Sequence, residues 1–164
     1  MLLLLTLLTS CQAEGISSGE LLETVLSEHP HLPSAHVLYQ SDALPGQQAY
    51  MTKRLQSLLY DEGRGRSLPE LSQVVDYAVC LSDGIYGMEI HIFRMKSPYD
   101  ARNMKKLLLR RAELMKRRSL YLFAPEAYEN YLCSAAVYRE DEYVFLLCTG
   151  DNEQIAAAIR ERIG

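Results

Sequence analysis

The chain has 164 residues, of which 48% are hydrophobic and 23% are charged, and its formal net charge is -4 at pH 7. This length allows one domain with a substantial core, and the composition is that of an ordinary globular protein rather than a disordered chain. The acidic balance argues against nucleic acid as the main partner.

Residues 1–10, MLLLLTLLTS, are predicted to be a signal peptide. The apolar run at residues 2–8 is interrupted only by Thr6, and it is much shorter than the about 20 residues that a helix needs to span a bilayer. A buried N-terminal helix is the alternative, which is disfavoured because no polar face recurs in the run at helical spacing. No Lys or Arg precedes the run, which leaves open a start codon upstream of Met1 or a shortened sequence.

The residues LTSC at the end of this run resemble the lipobox of bacterial lipoproteins, whose cysteine is lipidated and becomes the first residue of the mature chain. The resemblance implies a lipid anchor, such as one bearing palmitate, on Cys11 and a location on the outer face of the cell membrane. We therefore predict that residues 11–19 are the lipidated cysteine and a short tether, and that residues 20–164 form a single α+β domain.

The first half of the domain is predicted to be mainly helical. Ser17 and Glu20 have the spacing of a capping box at the start of a first helix, which Pro30 and Pro33 end. The segment AHVLYQ is a candidate short strand, and AYMTKRLQSLLY has apolar residues at helical spacing.

The second half is predicted to contain two β-hairpins, each followed by a helix. VVDYAVCLSDGIYGMEIHIFRM reads as two strands joined at SDG, and CSAAVYREDEYVFLLCT reads as a second pair joined at REDE. Ser97 caps a long helix with Pro98 in its first turn, APEAYENY adds a further helical turn, and Asp151 caps a last helix. The expected fold is α+β, an antiparallel sheet of about four strands covered by helices on one face, in the order ββαββα.

Several of these segments resemble a family of uncharacterised lipoproteins that is catalogued as a domain of unknown function and is common in Firmicutes such as clostridia. The resemblance rests on the lipobox, GMEIHIFRM, the long basic helix, YLFAPEAYENYLCSAAVYREDEYVFLL and DNEQIAAAI, and it covers roughly residues 20–163. It implies the extracytoplasmic location and the fold more than an activity. Members of the family typically have a shorter second turn that contains glycine, and REDE departs from that pattern.

Two groups of polar residues are candidates for chemistry. His29, His31 and His36 lie in HPHLPSAH, and with Glu28 or Asp42 they have the ligand types of a transition-metal site, although histidines in a proline-rich loop are usually solvated loop residues. Glu89 and His91 share one face of a strand, as an acid/base pair would. Such a pair is more often the exposed side of a sheet or a satisfied polar pair beneath a helix.

Known nucleophile, zinc-protease and phosphate-loop motifs are absent from the sequence. We therefore expect no enzymatic activity, no metal and no cofactor, and we predict a non-enzymatic binding or envelope-interaction module. The alternative is an extracytoplasmic metal-binding protein or hydrolytic enzyme that uses His29, His31 and His36 or the pair Glu89 and His91.

The three remaining cysteines are an odd number, so they cannot form a complete set of disulfides. If the second hairpin turns between Glu140 and Asp141, Cys133 and Cys148 face each other across the strands. Free thiols are favoured over a bridge between them.

The long helix is the most basic part of the sequence. Residues 97–118 contain two acidic residues and eight basic ones, a net charge of +6 against -10 for the rest of the chain; the basic residues are Arg102, Lys105, Lys106, Arg110, Arg111, Lys116, Arg117 and Arg118. A solvated helix face is the alternative. A tether of about eight residues has an extended reach of only about 27 Å. We therefore expect an anionic lipid or cell-wall polymer to contact Arg102, Lys105, Lys106, Arg110 and Arg117, with the acidic remainder facing an unknown protein partner.

Overall fold

The computed structural model describes residues 15–61, 71–82 and 87–164. Within these ranges five helices and five strands follow one another along the chain. They are α1 (Ser18–Glu28), β1 (His36–Gln40), α2 (Lys53–Tyr60), β2 (Val74–Ser82), β3 (Glu89–Met95), α3 (Pro98–Met115), α4 (Pro125–Asn130), β4 (Ala136–Glu140), β5 (Tyr143–Cys148) and α5 (Asn152–Ile163).

The strands form one antiparallel sheet in the order β1-β2-β3-β5-β4. The predicted α+β class and the order ββαββα are confirmed. The sheet has five strands rather than about four, because the candidate strand AHVLYQ pairs along the outer edge of β2. The predicted SDG turn between β2 and β3 lies outside the described residues.

Helices cover both faces of the sheet, so the prediction of a single covered face was wrong. On one face, here called the α3 face, α2 and α3 pack on alternate residues of the strands, among them Val79, Phe93 and Leu146. On the other, the α5 face, α1 and α5 pack on Cys80, Ile92 and similar residues. The physical reason is visible in β5, whose six residues are all buried and all apolar, because a strand covered on both sides does not alternate with polar residues.

Helices α1 and α3 begin as predicted. The side chain of Ser17 accepts the Glu20 N–H, and the Glu20 carboxylate accepts the Ser17 N–H, so α1 has a complete capping box. Its first residue is therefore Ser18, two residues before the predicted start of the domain. Ser97 accepts the Asp100 N–H and Pro98 occupies the first turn of α3, which buries an apolar stripe of Ala101, Met104, Leu108, Ala112 and Met115.

The second hairpin has a different register from the predicted one. Glu140 pairs with Tyr143, so the turn consists of Asp141 and Glu142. Asp141 has a φ of 46°, in the left-handed region that Asp adopts more readily than most residues. The shift by one pair places Ala136 opposite Leu147 and leaves Cys133 in a short 3-10 segment, Leu132–Ser134, before the strand. The predicted opposition of Cys133 and Cys148 is therefore wrong.

Candidate functional site

A polar cluster lies inside the core on the α3 face. Glu89 and His91 are two residues apart on β3, so both side chains point to the same side of the sheet, as predicted. The last residue of α2, Tyr60, and one residue of α3, Arg111, point down onto them. All four side chains are buried, and none of the four residues is more than 7% exposed.

Hydrogen bonds join the four residues into one chain. The Tyr60 hydroxyl lies 2.7 Å from His91 Nδ1, and His91 Nε2 lies 2.9 Å from Glu89 Oε2. Arg111 donates from Nε to the same Oε2 at 3.1 Å and from Nη2 to Oε1, so it binds the carboxylate with both arms of its guanidinium. Glu89 is thus held from two sides.

The pKa shifts follow from this geometry. Burial alone would raise the pKa of Glu89, but the charge of Arg111 and the hydrogen bond from His91 outweigh it and lower the pKa below its ordinary value of 4.5. Burial lowers the pKa of His91 below 6.5, against the opposing effect of Glu89. Burial and the charge of Glu89 raise the pKa of Tyr60 well above 10.0. These directions correspond to a neutral tyrosine, a neutral histidine and one ion pair.

The proton positions are then fixed by donor and acceptor roles. A neutral His91 donates from Nε2 to the Glu89 carboxylate and accepts at Nδ1 from the Tyr60 hydroxyl. Both ring nitrogens are occupied, and the carboxylate oxygens receive three donors. The arrangement has the composition of an acid/base site, but its donors and acceptors are directed at one another in a buried location. The cluster is therefore a satisfied polar network in the core beneath α3. This arrangement was the alternative to an acid/base pair in the sequence-based prediction.

The loop histidines are not brought together. His31 Nε2 lies 2.5 Å from Asp151 Oδ2, and His36 Nδ1 lies 3.0 Å from the Pro33 carbonyl oxygen. The rings of His29 and His31 meet edge to face, with 5.6 Å between their centroids, and no third metal-ligand side chain completes a metal site with them among the described residues. Glu28 pairs with Arg162 instead of the loop. Across the described ranges, no group of three or more His, Cys, Asp or Glu residues has the arrangement of a metal site.

The three described cysteines are free thiols. Cys80 is buried in β2, and burial raises the pKa of its thiol to about 12. Cys148 is buried opposite Glu89, and burial with the nearby negative charge of Glu89 raises its pKa further. Cys133 is exposed. The two buried thiols are therefore protonated at neutral pH and behave as core residues.

The outer side of α3 carries most of the predicted basic contact residues. Arg102, Lys106, Arg110 and Arg117 are exposed and Lys105 is half-buried. Arg102 lies over the ring of Tyr99, with 5.9 Å from Cζ to the ring centroid. Among the described residues, Lys105, Lys106 and Arg110 have no carboxylate partner within ion-pair distance. We call Arg102, Lys106 and Arg110 of α3, together with the exposed Lys116 and Arg117 directly after it, the basic surface of α3.

Arg111 differs from the exposed basic residues, because it points into the core. Its position was visible in the sequence: it lies three residues after Leu108 and four before Met115, on the buried stripe of the helix. A charge at a buried position indicates a buried partner, which is Glu89. Tyr60 had no such signal, since its contact with His91 joins residues that are 31 positions apart.

Two exposed apolar residues that were not predicted from the sequence lie directly after α3. Leu122 is 80% exposed and Phe123 is 82% exposed. Two adjacent large apolar residues before a proline were the available signal, but an apolar pair in a helix-to-helix connection is usually buried.

Comparison of the chain with protein-family models, with curated proteins and with solved structures finds no match in any of the three. Within the described ranges, none of the helices combines the length and the apolar character required to cross a bilayer.

Proposed function

We propose that the protein is a non-enzymatic lipoprotein of the cell envelope, anchored through Cys11 on the outer face of the cell membrane, and that the basic surface of α3 orients its domain against an anionic surface. The observation that carries the proposal is the separation of charge: residues 97–118, which contain α3, have a net charge of +6, whereas the rest of the chain has a net charge of -10. The lipobox-like LTSC supports the anchor, and the resemblance to a lipoprotein family agrees with it.

The first described residues of the chain are already hydrogen-bonded to the sheet, which supports a short distance between the domain and the membrane. The Gly15 carbonyl accepts a hydrogen bond from Arg94 Nη1 at 2.9 Å, and the Ile16 carbonyl accepts one from the Tyr143 hydroxyl at 2.7 Å. Only three residues separate Cys11 from Gly15, a reach of about 14 Å when extended. This is about half the reach expected from a tether that extends to the first helix.

Proximity makes the basic surface effective. A Lys or Arg near an anionic membrane contributes roughly 1 kcal/mol, and this attraction falls off within a Debye length of about 8 Å at physiological salt. An anionic surface attracts the α3 side and repels the acidic remainder. The domain therefore gains an orientation as well as affinity.

The buried polar cluster around Glu89 and His91 supports the proposal that the protein is not an enzyme. Its carboxylate and imidazole are the best candidates for catalysis in the described residues, and both are 0% exposed. Their hydrogen-bonding groups are directed at Tyr60 and Arg111. Catalysis needs the same atoms to face a substrate.

The charge of α3 is tested by vesicle binding of a chain that starts at Gln12, which retains every described residue. We expect binding to vesicles that contain anionic lipid, with affinity falling as salt rises. The Arg102→Glu/Lys106→Glu/Arg110→Glu variant should lose this binding while keeping its unfolding midpoint, because all three side chains are exposed. The control is Arg160→Glu/Arg162→Glu on α5, which should bind like wild type. Wild-type protein that ignores anionic vesicles at low salt would refute the proposal.

The anchor is tested separately by Cys11→Ser in the full chain. The variant should either remain an unprocessed precursor or be released from membranes. Fractionation and migration identical to wild type would exclude lipidation of Cys11.

A further inference from the structure

The segment between α3 and α4 presents an apolar tip, defined here as the side chains of Leu122 and Phe123. Nine large apolar side chains are well exposed in the described residues, and these two are the most exposed. Three more of the nine lie on α3 or beside the tip, namely Tyr99, Leu109 and Tyr121. Exposed apolar side chains are thus concentrated on the same part of the chain as the basic surface.

The tip is held by its backbone. Arg118–Leu122 is a 3-10 segment, and the N–H groups of Phe123 and Ala124 both donate to the Leu120 carbonyl, at 3.1 and 3.0 Å. Leu120 itself packs against the core of the α3 face. Leu122 and Phe123 therefore project outward from a turn whose neighbouring leucine is fixed inward.

Helix α4 fixes the turn to the end of α3. The Tyr128 hydroxyl donates to the Lys116 carbonyl at 3.1 Å, and the rings of Tyr121 and Tyr128 meet edge to face with 5.8 Å between centroids. Lys116 and Arg117 are exposed immediately before the segment, whereas α4 exposes Glu126 and Glu129 after it. Positive charge therefore flanks the tip on its α3 side.

We propose that Leu122 and Phe123 insert into the interfacial region of an anionic lipid bilayer while the basic surface of α3 lies along the headgroups. The proposal rests on the proposed function, and it specifies the anionic surface as a bilayer rather than a cell-wall polymer. Basic residues alone fit both, but a hydrated polymer offers no apolar phase in which to bury a leucine and a phenylalanine. The apolar stripe of α3 is buried on the sheet, so the tip supplies the apolar side chains that a membrane interface would take up beside the basic residues.

The test uses a single tryptophan, because the chain contains none. Phe123→Trp in the full chain is reconstituted into vesicles whose acyl chains carry bromine, with and without anionic lipid. We expect its emission to shift to shorter wavelength and to be quenched on anionic vesicles. The matched control is Ala157→Trp, an exposed position on α5 and therefore on the other face of the sheet, which should be neither shifted nor quenched.

A third variant measures the contribution of the tip to affinity. In the chain that starts at Gln12, Leu122→Ser/Phe123→Ser should weaken binding to anionic vesicles at least about tenfold, with the salt dependence retained because the basic surface is intact.

The outcomes separate the two proposals. If the tryptophan at position 123 responds no more than that at position 157, or if a soluble anionic polymer shifts its emission as vesicles do, insertion is refuted. In that case, binding that still depends on Arg102, Lys106 and Arg110 leaves the proposed function standing. If neither the charge reversal nor the serine variant changes vesicle binding, both proposals fail.

Discussion

The charge of Glu89 is kept inside the core mainly by Arg111. Both side chains are buried, and a buried ion pair contributes little net stability because desolvation offsets the attraction, whereas a buried charge without its partner is costly. The cluster therefore constrains where α3 lies on the sheet. Its polar groups are satisfied only when Arg111 is directly above Glu89.

Arg111→Met should lower the free energy of unfolding by about 3–5 kcal/mol, because it leaves the Glu89 carboxylate buried without its guanidinium. The matched control is Arg110→Met, which changes the neighbouring exposed arginine and should stay within about 0.5 kcal/mol of wild type. Urea unfolding measures both. Equal effects of the two substitutions would show that Arg111 is not the partner of a buried charge.

His91 should make stability depend on pH. Burial lowers its pKa in the folded protein below the ordinary value of 6.5, so the unfolded chain binds the extra proton first as the pH falls. Its contribution to stability is complete above the unfolded pKa and decreases as the pH falls below it. Between pH 8 and pH 5.5 wild type should lose more stability than His91→Gln, by at most about 1.4 kcal/mol.

Urea unfolding at the two pH values gives this difference, and the window stays above the range in which carboxylates titrate. The control His29→Gln changes a loop histidine and should keep the wild-type dependence. A pH dependence that is unchanged in His91→Gln would contradict a neutral buried histidine.

At the scale of the element, features that depend on neighbouring residues could be predicted from the sequence, whereas the packing of elements that are distant in sequence could not. The capping residues Ser17 and Ser97 and the apolar stripe of α3 depend on neighbours within one or two turns, so their positions could be predicted from the sequence. The second covered face of the sheet depends on α1 and α5, which are far apart in sequence. The continuous apolar run of β5 was the signal that both faces are buried.

The position of the β4–β5 turn could be predicted from the sequence only to within one residue. The segment REDE contains no glycine to mark the turn, and centring the turn on the middle of this segment places it one residue too early. The structure assigns the left-handed conformation to Asp141, a residue type that tolerates it because its short polar side chain forms local hydrogen bonds. One residue thus sets the register of the whole hairpin.

Asp141→Gly should be tolerated, because glycine adopts a positive φ without a steric penalty. Asp141→Val should lower the free energy of unfolding by about 1–2 kcal/mol, because a branched side chain clashes in that conformation. Glu142→Val is the control: it should cost less than about 1 kcal/mol, since it loses only the partly exposed pair with Arg94. A valine that is equally acceptable at both positions would contradict the assigned turn.

At the scale of the whole molecule, Gly15, the first described residue, and the tip lie toward opposite ends of α3. The chain enters the domain beside Arg94, at the end of the sheet where α3 begins but on the α5 face, because Ile16 packs into the core of that face. The tip follows the other end of α3. The helix is 18 residues long, which corresponds to about 27 Å. Contact through the basic surface and the tip would lay α3 along the membrane plane and turn α5 outward.

This orientation is tested most directly by labelling lysines of the full chain with a water-soluble amine reagent, on anionic vesicles and in detergent. Lys106 and Lys116 report on the basic surface of α3, and Gln154→Lys adds a reference at an exposed position of α5. This orientation predicts that vesicles reduce the labelling of Lys106 and Lys116 but not of the introduced lysine, and that high salt restores it. Equal labelling of all three lysines on vesicles and in detergent would contradict it.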